Sequence, residues 1–420
     1  MKKTKSTKPV TTIKPTRTKA KLAAPKTTKQ SGSSTPISKP KGVKAKPTPP
    51  VINQTFNHSL HMNILDKHPQ KNELMNVVAQ QTTNNKLTST TDTEISIPLS
   101  TISLMDSFDA YINITFSGML SQQNTTLLVD SGNTCLIIPR YEDIEGLPDY
   151  KVLGEGNEPW GSPAMIVQGP ILIPTSDGGT FTINDCVFYA CTGGPRTANF
   201  GTGCISPWNT TVVENVTMQS PLSYNTEYPI AVFNYEAVES IISDSNDLHI
   251  SNGSVLTLHK ELPSGFSLFN IIRDFKWMSL MPNNLWINGV LTGWPGNNYS
   301  VAFIDTGGGP INLSDPNGYI YPFALPDSVV CPTWSSTSIN CSCTNSPITI
   351  QLMDPYYQTF WMYTVDTQKM PASVQGLTLV ACETNAYMMN QQGMNIGGIS
   401  ALFMDILIDY QSKAVGFKMK

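Results

Sequence analysis

Short apolar segments with a period of two recur along most of this chain and predict β-strands rather than helices. Clear examples are Ile95–Leu99, Tyr111–Phe116 and Thr125–Val129. Turn-forming residues separate such segments, as in Ser-Gly at 117–118 and Asp-Gly-Gly at 177–179. Because period-two alternation bounded by Gly, Asp and Ser is typical of strands, the pattern predicts a mostly β protein.

Helix-like spacing occurs in two short stretches, Tyr235–Ile242 and Ala401–Asp405. Neither is long enough to change the predicted fold class. The regular pattern begins near Glu94, so we expect the ordered part of the chain to begin there.

The first 50 residues differ sharply from the rest in composition and charge. They contain 14 of the 27 Lys and Arg residues and none of the 31 Asp and Glu residues, so the remainder carries a net charge of 13 − 31 = −18. A Lys/Thr/Pro-rich segment of this kind buries too little apolar surface to offset its ordering entropy, so residues 1–50 are predicted to be disordered. They could serve as a solubilising or targeting tail, or as a basic arm for phosphate-bearing partners. The acidic body argues against nucleic-acid binding by the folded part.

Residues 51–93 are polar and are interpreted as a linker or pro-like segment. Their histidines, His58, His61 and His68, lack a cysteine or acid cluster beside them, so no metal site is predicted. The N-terminal lysines are not followed by the apolar segment of a signal peptide, and no run approaches the length of a transmembrane span. The compartment therefore stays undecided.

Cysteines and glycosylation sequons bear on the same question. The eight cysteines, four before residue 305 and four after it, permit disulfides within each half of the chain. Together with ten Asn-x-Ser/Thr sequons, they favour a secretory or acidic compartment. We therefore expect disulfide bonds.

Two related phrases carry the candidate chemistry: Leu-Val-Asp-Ser-Gly at 128–132 and Phe-Ile-Asp-Thr-Gly at 303–307. Each places a carboxylate, Asp130 or Asp305, at the end of an apolar strand-like run. Their separation of 305 − 130 = 175 residues is about the length of one compact lobe. Two carboxylates in one site cannot both ionise comfortably, so such a pair holds one proton and offers both an acid and a base.

The context of the two triplets makes them more specific than ordinary Asp-containing turns. Acids embedded in apolar sequence are expected to be partly buried and to need partners. Gly132 and Gly307 allow close approach of backbone amides to the carboxylates. Ser131 and Thr306 are predicted to hydrogen-bond across the interface and to hold the two loops rigidly.

With these motifs the chain resembles a pepsin-like aspartic protease over about 94–420. Asp130-Ser131-Gly132 and Asp305-Thr306-Gly307 match the two catalytic triplets of that family. The C-terminal end matches independently, with Asn-Ile-Gly-Gly at 395–398 followed by an apolar hairpin that ends in Val-Gly-Phe at 415–417.

The resemblance implies a mostly β, bilobal fold with a cleft between an N-terminal lobe, 94–262, and a C-terminal lobe, 263–420. A water between Asp130 and Asp305 would attack the peptide carbonyl, without a metal or organic cofactor. Protein or peptide substrates would lie extended in the cleft beneath a β-hairpin flap. A monomer is expected.

The sequence departs from the family at several positions. The hydroxyl residue that usually follows each triplet is replaced by Asn133 and Gly308, of which only Asn133 offers a side-chain donor. The family's flap carries a tyrosine followed by glycine, and the nearest candidate here is Trp160-Gly161. The family's tryptophan that pairs with the flap tyrosine is replaced here by Ile137. Two hypotheses follow: an aspartic endopeptidase active at acidic pH, or a catalytically weakened relative that binds peptide or protein in its cleft.

Overall fold

A computed structural model describes most of the chain from Thr93 to its C-terminus. The described ranges are 93–104, 107–119, 124–193, 198–204, 212–213, 216–236, 248–251, 253–271, 279–280, 284–287, 289–291, 301–307, 311–314, 348–353, 360–365, 380–383 and 393–420. All of them belong to one compact unit, Phe56–Lys420. The predicted basic tail and nearly all of the predicted linker lie outside the described residues.

The predicted β class is confirmed, since strands dominate the described residues. Numbered along the chain, they are β1 Glu94–Pro98, β2 Ser100–Leu104, β3 Ser107–Phe116, β4 Thr125–Asp130, β5 Leu136–Ile138, β6 Lys151–Asn157, β7 Pro163–Pro174, β8 Thr180–Cys191, β9 Asn199–Gly201, β10 Val212–Val213, β11 Val216–Thr217, β12 Ile230–Asn234, β13 Leu248–Ser251, β14 Val255–His259, β15 Ser267–Asn270, β16 Ser279–Leu280, β17 Asn284–Ile287, β18 Val290–Leu291, β19 Val301–Asp305, β20 Ile311–Ser314, β21 Ile348–Met353, β22 Phe360–Val365, β23 Val380–Glu383, β24 Gly393–Gly397, β25 Met404–Asp409 and β26 Ala414–Met419. Short 3-10 helices span Tyr141–Asp143, Pro221–Tyr224 and Gly398–Leu402.

These strands form four larger sheets and one two-stranded ribbon. A nine-stranded sheet has the order β13-β2-β3-β4-β9-β5-β8-β7-β6, and a six-stranded sheet the order β1-β14-β12-β25-β26-β15. A five-stranded sheet has the order β16-β19-β24-β20-β23, a four-stranded sheet the order β18-β17-β21-β22, and β10 pairs with β11. The six-stranded sheet joins strands from the start, middle and end of the described chain.

The two aspartate phrases lie at equivalent positions of a strand pattern that occurs twice in the sheets. β4 pairs parallel with β9, β9 antiparallel with β5, and β5 parallel with β8. In the five-stranded sheet β19 pairs parallel with β24, β24 antiparallel with β20, and β20 parallel with β23. The same four-strand pattern therefore surrounds both aspartates.

The C-terminal end follows the prediction closely. β25 and β26 form an antiparallel hairpin in which Val415-Gly416-Phe417 lies within the returning strand. The helix-like spacing of Ala401–Asp405 is misleading over most of this stretch. The 3-10 helix ends at Leu402, and β25 begins at Met404. The side chains of this strand alternate into the core, so sheet packing overrides the local helical spacing. Of the other stretch, Tyr235 and Glu236 are non-helical and the rest lies outside the described residues.

The expectation of disulfides is wrong for the described cysteine side chains. Cys135, Cys186, Cys191 and Cys204 are thiols. Cys186 and Cys191 lie on one strand at an odd spacing, so their side chains face opposite sides of the sheet, and they pack in different apolar clusters. Burial raises the pKa of the Cys186 thiol well above its ordinary value, which keeps it in its unreactive form. The side chains of the four later cysteines lie outside the described part.

Candidate active site

Both aspartates lie where strands end, at the junction of the duplicated sheets. β4 ends at Asp130 and β19 ends at Asp305, as the sequence predicts. Asp130 is 7% exposed and Asp305 8%. Carboxylates this deeply buried require hydrogen-bond partners, and the structure supplies them from both halves.

The glycine of each triplet makes room for the aspartate of the other half. A Cβ added to Gly132 would lie 2.6 Å from Asp305 Oδ1 and 3.0 Å from Asp130 Oδ1. A Cβ added to Gly307 would lie 2.6 Å from Asp130 Cγ. Any side chain at either position would therefore collide with a carboxylate. The two Oδ1 atoms converge beside Gly132, and we call them the inner oxygens.

The hydroxyl residues of the triplets cross-link the two loops. The Ser131 backbone N–H donates to Thr306 Oγ1 at 3.0 Å, and the Thr306 backbone N–H donates to Ser131 Oγ at 2.9 Å. Thr306 Oγ1 also donates to the Val129 carbonyl oxygen at 3.2 Å. Both residues are almost fully buried. These reciprocal bonds fix one aspartate loop against the other.

The outer oxygens of the aspartates are bound by two asparagines that the sequence pattern did not assign to the site. Asn199 Nδ2 donates to Asp130 Oδ2 at 2.7 Å, and Asn395 Nδ2 donates to Asp305 Oδ2 at 3.2 Å. Asn395 is the first residue of the Asn-Ile-Gly-Gly motif at 395–398, but the motif by itself predicts no contact with an aspartate. The signal that could have found the pair is a repeated Asn-apolar-Gly at 199–201 and 395–397.

Asn133 does not occupy the position expected of it. Its Nδ2 donates to Asn199 Oδ1 at 2.9 Å and to the Cys135 carbonyl oxygen at 3.0 Å, which uses both amide hydrogens. The support that Asn133 gives to Asp130 is therefore indirect, through Asn199. Gly308, the counterpart in the second phrase, lies outside the described residues.

The environment of Asp130 favours its protonated form. Burial and the neighbouring Asp305 carboxylate raise the pKa of Asp130 from its ordinary value of 3.8 to about 7. The hydrogen bonds from Asn199 and from the Gly132 backbone N–H, the latter 2.7 Å long, act in the opposite direction. A carboxyl group that keeps its proton up to neutral pH can serve as a general acid.

The predicted flap residues lie at the tip of a β-hairpin. β6 and β7 pair antiparallel, and residues 158–162 form the turn that connects them. The Glu158 carboxylate accepts the backbone N–H groups of Trp160 at 2.7 Å and Ser162 at 2.8 Å. Gly161 follows Trp160 with φ +96°, in the left-handed region that favours glycine. The buried glutamate thus closes the turn that carries both residues.

Trp160 also has a packing role. It is half-buried and packs against an apolar cluster that includes Ile137, Ile166 and Tyr189. Two of the positions at which the sequence departs from the family pattern, 137 and 160, therefore belong to one apolar cluster.

Metal centres and membrane spans would point to other functions. Within the part of the chain that the structure describes, no group of three or more His, Cys, Asp or Glu side chains could hold a metal ion. None of the described helices has the length and apolar character needed to cross a membrane.

Comparison with known proteins bears on the fold. No protein-family model and no curated protein sequence matches the chain. Among solved structures, the crystal structure of the aspartic proteinase from Irpex lacteus matches with a TM-score of 0.52 at 12% sequence identity, covering 78% of this chain and 97% of that proteinase. This chain has the bilobal pepsin-like fold. At this level of identity the likeness concerns the fold alone, so any conclusion about chemistry rests on the geometry of the site.

Proposed function

We propose that this protein is an aspartic endopeptidase that hydrolyses peptide bonds of proteins through a water activated by Asp130 and Asp305. The observation that carries the proposal is the convergence of the two buried inner oxygens beside Gly132. The crossed bonds between Ser131 and Thr306 support it, because they hold the two loops in one arrangement. Catalysis by a carboxyl pair depends on such positioning.

In the proposed mechanism the pair holds one proton and one negative charge. Asp130, whose pKa is raised to about 7, holds the proton, and Asp305 is the ionised base. Asp305 removes a proton from the attacking water while Asp130 protonates the carbonyl oxygen, which gives a neutral tetrahedral intermediate. When that intermediate collapses, Asp130 recovers its proton from a hydroxyl and Asp305 passes its proton to the leaving nitrogen, so that both carboxyl groups return to their starting states.

The remaining parts of the proposal concern the two lobes and the flap. We assign residues 94–262 and 263–420 to the two lobes, with an extended peptide bound between them. The β6–β7 hairpin, with Trp160 and Gly161 at its tip, is the flap in this proposal. Among the described strands, β6 is the last of the nine-stranded sheet, and we assign its outer edge to strand-like pairing with a substrate.

The direct test is digestion of a peptide library and of an unfolded protein between about pH 3 and 8 by wild type and Asp130→Asn. The proposal expects cleavage by wild type in acid and none by the variant. Asp185→Asn is a matched control, since Asp185 is exposed and its positive φ of 54° is readily adopted by asparagine. Cleavage that persists in Asp130→Asn would exclude this mechanism.

A second candidate function is binding of a peptide or protein in the cleft without efficient turnover. The packing of Trp160 against the cluster that contains Ile137 favours it, because a flap tip held in an apolar cluster need not close over a substrate. Calorimetric binding of a statine-type transition-state mimic, with no cleavage of any library peptide, would support this candidate over the first.

A further inference from the structure

We propose that Asn199 and Asn395 are a matched pair of positioning residues that hold the outer oxygens of the two aspartates and favour the ionised form of each carboxylate. The proposal extends the proposed function. Only its activity measurements depend on that function being correct. The arrangement of hydrogen bonds that carries it is independent of any turnover.

The two asparagines occupy equivalent positions in the duplicated sheets. In the pairing of β4 with β9, Asp130 lies opposite Gly201, and Asn199 is two residues before that glycine. In the pairing of β19 with β24, Asp305 lies opposite Gly397, and Asn395 is again two residues before it. Side chains two residues apart on a strand share one face. The same register therefore delivers an amide to the Oδ2 atom of each aspartate.

The chemistry of the amide nitrogen decides what this contact does. Asn Nδ2 has two hydrogens to donate and accepts none, so it binds a charged, unprotonated oxygen more strongly than a protonated one. A hydroxyl residue in the same place could either donate or accept. Each Oδ2 atom therefore has its own amide donor, which favours the ionised carboxylate, while the Gly132 backbone N–H donates to Asp130 Oδ1. The Oδ1 atoms are the ones that converge beside Gly132, where a water and a substrate carbonyl would be.

The first asparagine is fixed in this orientation by a third. Asn199 Oδ1 accepts from Asn133 Nδ2 at 2.9 Å, so rotating the Asn199 amide would place nitrogen against nitrogen. The buried Asn395 Oδ1 has no donor among the described residues. Its bond to Asp305 is also longer, 3.2 Å against 2.7 Å. We therefore expect Asn199 to influence its aspartate more strongly than Asn395 does.

The test is a pH titration of the full chain labelled with carboxyl-¹³C aspartate, followed by NMR in wild type, Asn199→Leu and Asn395→Leu. Removing a donor that favours the charged form should move the Asp130 titration in Asn199→Leu upward by about one pH unit. The shift of Asp305 in Asn395→Leu should be in the same direction and smaller. If Asn199→Leu fails to fold, Asn199→Ser removes the amide with a smaller change in polarity.

Asn113→Leu is the control, because Asn113 is a buried strand asparagine whose Oδ1 accepts the Thr126 hydroxyl. It should lose stability while leaving both aspartate titrations where they are in wild type. If Asn199→Leu and Asn199→Ser also leave the titrations of Asp130 and Asp305 unchanged, the positioning role is wrong. A shift of the same size in Asn113→Leu would likewise overturn it. The loss of any buried polar side chain would then be enough to move the aspartate titrations.

Activity measurements separate this inference from the proposed function. If wild type cleaves peptides, Asn199→Leu should lower kcat about tenfold, leave KM within about twofold, and move the alkaline limb of the pH profile upward. If wild type cleaves nothing but the titration shifts as expected, the positioning stands and the endopeptidase proposal fails. If wild type is active and the titrations do not shift, the endopeptidase proposal stands and the positioning role fails.

Discussion

The half of the site around Asp130 and the half around Asp305 share one plan and differ in how completely it is filled. In both, an apolar strand ends at the aspartate, a parallel neighbour presents an asparagine to the outer oxygen, and a loop glycine makes room for the opposite carboxylate. In the first half Asn133 fixes the asparagine, whereas the corresponding residue in the second phrase is Gly308, which has no side chain. The two halves therefore share the direct donors to the aspartates and differ in the residue that holds the donor.

The largest expected effect is the loss of either aspartate. If the two halves make one acid–base pair, Asp305→Asn and Asp130→Asn should each lower kcat on a peptide by about 10²–10⁴-fold. Steady-state assays with Asp185→Asn as control measure this. A loss confined to one of the two variants would show that the halves do not work as a pair.

The pH dependence of stability should differ between wild type and Asp130→Asn. Unfolded aspartate titrates near 3.9, whereas the folded pKa of Asp130 is about 7. Below about pH 4 both states keep the proton; as the pH rises from about 4 to 7 only the unfolded state releases it, so wild type loses stability. Asp130→Asn lacks this loss and should be more stable than wild type at pH 8 by about 2–4 kcal/mol, with little difference at pH 4.

Urea denaturation of both proteins at the two pH values checks this expectation, with Asp185→Asn following wild type. Equal stability of wild type and Asp130→Asn at pH 8 would mean that Asp130 is ionised at no cost in the folded protein. The proton would then have to lie elsewhere in the pair.

The crossed bonds between the loops predict an unequal response on the two sides. Thr306→Val removes the acceptor of the Ser131 N–H and the donor to the Val129 carbonyl, whereas Ser131→Ala removes the acceptor of the Thr306 N–H. Each leaves buried backbone groups unpaired, at about 1–3 kcal/mol, with the threonine substitution costing more. Chemical denaturation measures both. Thr182→Val, at an exposed strand position, should change stability by less than about 0.5 kcal/mol.

The smallest effect is expected when the first half of the site is made to resemble the second. Asn133→Gly places a glycine after the first triplet, as Gly308 follows the second. It also removes the donor to Asn199 Oδ1. We expect the NMR titration of Asp130 to rise by about half a pH unit, less than in Asn199→Leu. The double variant Asn133→Gly/Asn199→Leu should show no further shift beyond Asn199→Leu, because Asn133 acts through Asn199. Additive shifts would contradict that order.

The sequence predicted what is local and missed what the sheets bring together. Asp130, Asp305, Ser131 and Thr306 could be identified because each triplet follows its own apolar strand. Asn199 and Asn395 are 69 and 90 residues from the aspartates they bind, so strand pairing, and not a local pattern, places them there. For the four described cysteine side chains the disulfide prediction failed for a related reason: an even cysteine count says nothing about the faces and clusters in which the thiols are buried.

The most direct test of the central claim, that Asp130 and Asp305 share one catalytic proton, is the pH profile of kcat/KM for a single cleaved peptide. A shared proton predicts activity in acid that falls as the pH rises through about 7, where Asp130 loses its proton, and no such activity in Asp130→Asn. Activity that stays constant between about pH 5 and 9, or that survives in Asp130→Asn, would contradict it.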